Sequence, residues 1–183
     1  MKYDPEKHHR RSLRLRDYDY GLPGAYFVTI CTRSRECLLG EFVDGEMRLN
    51  DDGRMVERWW GELANKFKTV EIDPYVVMPS HIHGIIVTVG ADLRVCPDLG
   101  GHIGPPLPRM VQWFKTMTAN EYIRNVRDDG SAATRTKLWQ RNYYEHTIRS
   151  EAVLKSIRNY IASNPYRWRD DLENPNFAPG AND

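Results

Sequence analysis

Apolar residues recur along the chain in runs, alternations and helical spacings, and each pattern predicts an element. "AYFVTICT", Ala25 to Thr32, is rich in β-branched and aromatic residues and reads as a strand. "CLLGEFV" and "EMRLN" flank Asp44-Gly45, a two-residue hairpin signal. Asn50-Asp51-Asp52 predicts a helix start with acids in its first turn, and Val56, Trp60, Leu63 and Phe67 follow at helical spacing. "VEIDPYVVMP" and "HIHGIIVTV" predict two further strands, joined tightly at Pro79-Ser80. Residues 90–108 are rich in glycine and proline and predict a long surface loop. Met110 to Arg127 predicts a helix with Val111, Phe114, Thr118 and Tyr122 on one face. "DDGSAATRT" predicts another loop, and "KLWQRNYYEHTI" an extended edge segment. Ser150 is the expected cap of a last helix, Glu151 to Ser163. It should stop at Asn164, because a residue before proline avoids the α region.

The order of strand, hairpin, helix, two strands, helix, extended segment and helix predicts an α+β fold. An antiparallel sheet should carry helices mainly on one face. No internal repeat and no second domain is visible. The expected domain is 25–168, preceded by a basic arm, 1–24, and followed by an acidic tail, 169–183.

With 183 residues, 40% hydrophobic and 28% charged, the composition fits a globular domain with a real core. No apolar run approaches the roughly 20 residues of a membrane helix. "MKYDPEKHHRRSLRLR" is charged and has no apolar segment, so no secretory signal is expected. Cys31, Cys37 and Cys96 are odd in number and lack CxxC spacing, which argues against a disulfide framework or a thiolate zinc site. A reducing cytoplasm is the expected compartment. Net charge is only +1, but it is unevenly spread. Arg10, Arg11, Arg14 and Arg16 crowd the start, Arg135, Lys137, Arg141 and Arg149 recur later, and Asp170 to Asp183 holds acids without a base. Such blocks are either solvated surface or a phosphate-binding face.

"VVMPSHIHGIIVTV" sharpens the choice. Residues at i and i+2 of a strand share a face, so His81 and His83 point one way, with Ile85 and Val87, while Ile82 and Ile86 point the other. Two imidazoles about 6–7 Å apart along a strand can converge on one divalent ion. Stacking on aromatics or lining a polar groove are the alternatives. His102 lies in the glycine-rich loop, His146 follows Tyr143-Tyr144, and His8 and His9 belong to the basic arm. Ile85 stands where a histidine-triad hydrolase needs its third histidine, and HExxH, GxxxxGK[ST], GxSxG and GxGxxG are absent. On the last helix Val153, Ile157, Tyr160 and Asn164 share a face. The plain reading is a tyrosine at the core edge and an asparagine C-cap. If that face meets the histidine strand, the Asn164 carbonyl becomes a third ligand and the Tyr160 phenol a nucleophile.

The segments "YDYGLPGAYFVTICT", "VVMPSHIHGIIV", "LWQRNYYEHTIR" and "IRNYIASNPYRW" together resemble the REP-associated tyrosine transposases of bacteria, within the single-tyrosine HUH transposases. The likeness runs from about Arg11 to Trp168. It implies a ferredoxin-like, RRM-like HUH nuclease fold. It implies His81 and His83 as ligands of Mg²⁺ or Mn²⁺, Asn164 as the amide-type third ligand, and Tyr160 as the nucleophile. It further implies a bacterial, cytoplasmic enzyme that cuts and rejoins single-stranded DNA beside a hairpin through a 5′-phosphotyrosine. A monomer is implied, with a homodimer as the alternative, since some relatives swap the tyrosine helix. Phosphate grips are expected from Arg10, Arg11, Arg14, Arg16, Lys115, Arg141 and Arg149, and base stacking from Trp139, Tyr143 and Tyr144. A non-cutting module that binds hairpin DNA or RNA, and a metal-dependent phosphohydrolase, are the competing functions.

Overall fold

The computed structural model describes residues 24–88, 106–128 and 137–177. The basic arm with Arg10, Arg11, Arg14 and Arg16, and the loop with His102 and Cys96, lie outside the described residues.

Strands β1 (Gly24–Cys31), β4 (Val70–Met78), β5 (His81–Thr88) and β6 (Tyr144–Ile148) form one antiparallel sheet in the order β4-β5-β1-β6. The hairpin forms where Asp44-Gly45 predicts it, as β2 (Gly40–Val43) and β3 (Glu46–Leu49), but it stands apart as its own two-stranded sheet. Asp44 and Gly45 both take positive φ, 54° and 85°, as a two-residue turn matching the strand twist demands. Helix α1 (Asp51–Lys66) starts at Asn50, whose side chain accepts from the Gly53 N–H. Helix α2 (Leu107–Asp128) begins earlier than periodicity suggests, taking Leu107 and Pro108 from the expected loop. Proline needs no N–H partner in a first helical turn, so Pro108 fits there. Helix α3 (Glu151–Ser163) is capped by Ser150, which accepts from Val153 N–H.

The alternation in the central strands sorts two cores. Tyr26, Val28, Ile30, Val77, Ile82 and Ile86 pack with Val56, Trp60 and Leu63 of α1 and Val111, Phe114 and Tyr122 of α2. On the other face Phe27, Ile85 and Ile148 meet Ile161 of α3. Most helical mass therefore covers one face, and α3 alone among the described α-helices crosses the face that carries the histidines. The sheet rests directly on α1 at Gly84, where a Cβ would lie 2.3 Å from Trp60 Cζ2. Gly84→Ala is expected to destabilise the fold by about 1–3 kcal/mol through overpacking. Urea denaturation measures this, and an unchanged midpoint would mean that Trp60 moves aside freely.

Candidate metal and nucleophile site

The strand register builds the floor of the site. Val76 pairs with His83, His83 with Thr29, and Thr29 with Tyr144, so one row crosses all four strands. His81 pairs with Cys31 at the next row of that face. Both histidines are buried, at 0% and 3% exposure. Their rings tilt together until the centroids are 4.3 Å apart, closer than the strand repeat alone would set them. Thr29 Oγ1 lies 2.8 Å from His83 Nδ1, and Ser80 Oγ lies 3.3 Å from His81 Nδ1. Those contacts orient the rings and leave each Nε2 for the site. Burial pushes His81 down to about 3, partly opposed by the Asn164 amide. Burial, then the neighbouring His81, pushes His83 down to about 3. Both rings are therefore neutral near pH 7, the form that binds a metal.

Helix α3 brings Tyr160 over this floor. Its hydroxyl is 3.2 Å from His83 Nε2 of the same chain, and its ring meets Phe27 edge-on at 6.0 Å. The residue remains 37% exposed. Burial, then the carboxylates of Asp171 and Glu173, pushes the phenol up to about 12, so it stays protonated at neutral pH. Apolar packing holds α3 down, and so does a two-pronged ion pair from Arg158 to Asp73. Asp73 sits where the β4–β5 register shifts between Ile72 and Tyr75. Such a bulge re-aims a side chain, here toward α3, and Pro74 is tolerated in it. Asp73→Ala is expected to speed amide hydrogen exchange across α3 while leaving α1 unaffected. Equal exchange in both proteins would assign α3's anchoring to apolar contacts alone.

Asn164 follows one turn after Tyr160, but the expected reason for the helix end is corrected. Asn164 keeps the α conformation, φ −58° and ψ −42°, although Pro165 follows. The chain continues into a 3₁₀ helix, Pro165–Asp170, with proline at its start, so no helical hydrogen bond is lost. Asn164 is fully buried, and its Nδ2 donates to Asp171 Oδ2 at 3.0 Å. Residues 170–177, expected as part of a solvated acidic tail, fold back instead. Ser80 Oγ donates to the Glu173 carbonyl, Arg35 pairs with the Glu173 carboxylate at 2.7 Å, and Cys31 Sγ donates to it at 3.3 Å. Burial, then Glu173, pushes the Cys31 thiol up to about 12, so this cysteine is a neutral strut. The strap carries the Asp171 carboxylate to 3.8 Å from His81 Nε2. His81, His83 and Asp171 thus bring ligand atoms within 4.8 Å of one another, a possible metal-binding triad. His81 Nε2 and Asn164 Oδ1 are buried there without a hydrogen-bond partner. An orphaned buried polar atom costs about 1–3 kcal/mol. An unpartnered imidazole nitrogen and amide oxygen beside a second neutral imidazole and a carboxylate suit a divalent cation, so the residues present fit one.

The chain is 36% identical over 179 residues to an uncharacterized protein of Haemophilus influenzae, covering 93% of this chain and 96% of that one. The chain belongs to the same family as that protein. No model of a known protein family matches it. Among solved structures, this chain is similar in fold to the REP-associated tyrosine transposase bound to a REP hairpin. That match has a TM-score of 0.56 and 21% identity, and it covers 86% of this chain and 74% of that one. The expected α+β fold, an antiparallel sheet with helices mainly on one face, is the fold observed.

A cavity of about 620 Å³ opens over the site, lined by Phe27, His83, Tyr144, Tyr160 and Asn164 and by the strap. Of the expected DNA contacts, Tyr144 is 55% exposed at this cavity. Arg141 and Arg149 are exposed elsewhere on the surface. Lys115, Trp139, Arg141 and Tyr143 line a separate groove of about 580 Å³ beside α2. Two of these expectations are corrected. Trp139 is a core residue whose indole donates to Thr118 Oγ1 at 2.7 Å, so its ring is not a free stacking platform. Lys115 donates to the carbonyls of Gln140 and Arg141, tying that segment to α2. Burial brings its ammonium down to about 8. Asp171 escaped the sequence because its signal, "DDLE" after the "NPYRW" run, is indistinguishable from a solvated tail until the chain folds back. Among the described residues no helix is long and apolar enough to cross a membrane.

Proposed function

We propose that this protein is a metal-dependent single-stranded DNA endonuclease and strand transferase of the tyrosine transposase type. The observation that carries this reading is the Tyr160 hydroxyl 3.2 Å from His83 Nε2, beside the His81–His83–Asp171 cluster, at the floor of an open cavity. A pure metal store needs no phenol there, and a simple hydrolase would reserve that position for water.

His81, His83 and Asp171 would hold the ion. Asn164 supports them, its amide nitrogen orienting Asp171 and its oxygen facing the same space. Two imidazoles with oxygen donors suit Mn²⁺ and accept Mg²⁺. When bound, the ion supplies Lewis-acid polarisation of the phosphate. The chain's own residues do the rest. Phe27 and His83 fix the Tyr160 ring, so its oxygen is aimed before DNA arrives. In the proposed step the phenolic oxygen forms a bond to phosphorus as the bond from phosphorus to the 3′ oxygen breaks. The phenol loses a proton and the departing 3′ oxygen gains one. The product is a 5′-phosphotyrosine and a free 3′-hydroxyl. The phosphoester is conserved, so attack by another 3′-hydroxyl reverses the step and joins new ends without a nucleotide cofactor.

The substrate we propose is bacterial single-stranded DNA beside a hairpin, with Tyr144 available to stack on an unpaired base. One chain contributes all of Tyr160, His81, His83 and Asp171, which supports action as a monomer. Incubation with a labelled hairpin oligonucleotide carrying single-stranded flanks, with Mn²⁺ or Mg²⁺, tests the reading on a denaturing gel. A covalent protein–DNA band is expected. Binding without any such band would leave a non-cutting DNA-binding module, and turnover of small phosphodiesters without capture would leave a phosphohydrolase.

A further inference from the structure

The catalytic cavity is built for an anionic substrate, yet it is rich in acids. Asp170, Asp171 and Glu173 all line it, while His83 is neutral. Arg35 is committed to Glu173. Among the described residues that line the cavity, the only cation is Arg167. It is exposed.

Its position follows from local geometry. Pro165–Asp170 is a 3₁₀ helix, and Arg167 N–H donates to the Asn164 carbonyl at 3.0 Å. With three residues per turn, side chains at i and i+3 lie above one another. Asn164, Arg167 and Asp170 therefore line the same cavity, while Trp168 turns inward and anchors the turn against His81, with ring centroids 6.1 Å apart. Tyr160 continues the line one α-helical turn earlier. The result is a ridge of phenol, amide and guanidinium along one wall.

We propose that Arg167 grips the non-bridging oxygens of the phosphodiester that Tyr160 attacks. This rests on the strand-transferase reading above. A planar guanidinium matches two phosphate oxygens at once. It answers the charge that builds on those oxygens in the transition state, and it offsets the repulsion of the neighbouring carboxylates.

Two measurements test this. In single-turnover reactions with the flanked hairpin and Mn²⁺, Arg167→Ala is expected to slow adduct formation by about 100-fold, and Arg167→Lys to recover part of that loss. In a Tyr160→Phe background, which cannot react, binding of an oligothymidylate is followed against salt. Adding Arg167→Ala is expected to reduce the slope of log affinity on log salt by about 0.7, one single-strand phosphate contact. Lys66→Ala, at the end of α1, is the control and should leave the slope unchanged. Adduct formation at the wild-type rate by Arg167→Ala overturns the proposal even though the strand-transferase reading survives. Should wild type form no adduct, that reading fails and the salt slope decides. A slope unaffected by Arg167→Ala overturns the phosphate grip, and a reduced one supports it.

Discussion

Tyr160→Phe is expected to abolish the covalent protein–DNA adduct while single-stranded DNA still binds. The substitution removes one oxygen and keeps the ring that packs on Phe27 and His83, so α3 stays seated. Loss of a nucleophile that acts with its neighbours as a unit costs more than about 10⁴-fold in rate. On a denaturing gel the labelled band should vanish, and an electrophoretic shift under native conditions should persist. The competing nucleophile is Tyr144, which lines the same cavity and is more exposed. It stands on an edge strand, across Thr29 from His83. An undiminished adduct from Tyr160→Phe would sink the Tyr160 assignment and point to Tyr144.

His81→Ala is expected to weaken Mn²⁺ binding by at least about 100-fold, because losing even an outer-shell partner of a ligand costs 10–100-fold. The ring is completely buried, its Nδ1 is held by Ser80, and its Nε2 has no partner of its own. Titration calorimetry or the electron-spin signal of free Mn²⁺ reads the loss directly, without DNA and without turnover. Thermal unfolding gives a second readout. An ion at 100 times its dissociation constant stabilises the native state by about 2.7 kcal/mol. That increment should appear for wild type and for Tyr160→Phe, and be absent from His81→Ala. Affinity that survives His81→Ala would move the ion, if one binds, away from this cluster.

Much of this was legible before any fold was known. The β5 alternation already separated His81 and His83 from Ile82 and Ile86, because side chains in a strand have a period of two. Asn50 and Ser150 marked the helix starts because each is a short polar acceptor at the foot of an amphipathic run. The shared face of Val153, Ile157, Tyr160 and Asn164 followed from 3.6 residues per turn. Trp139 and Lys115 misled for a common reason. An aromatic or a cation near basic residues looks the same in sequence whether it faces solvent or is consumed by packing. Here Thr118 and two backbone carbonyls consume them.

By itself, then, the sequence determined the α+β architecture, the histidine pair on one face of a strand, and the tyrosine and asparagine on one face of a helix. All of these are periodicities within single elements. Only the tertiary structure decided that α3 crosses the histidine face of its own chain, that the acidic segment folds back to deliver Asp171, and that Arg167 stands in the cavity wall. Those are contacts between residues far apart in the chain. They depend on how the Phe27–Ile85–Ile161 core, the Arg158–Asp73 pair and the Ser80–Glu173 contact dock separate elements, and no local period encodes them.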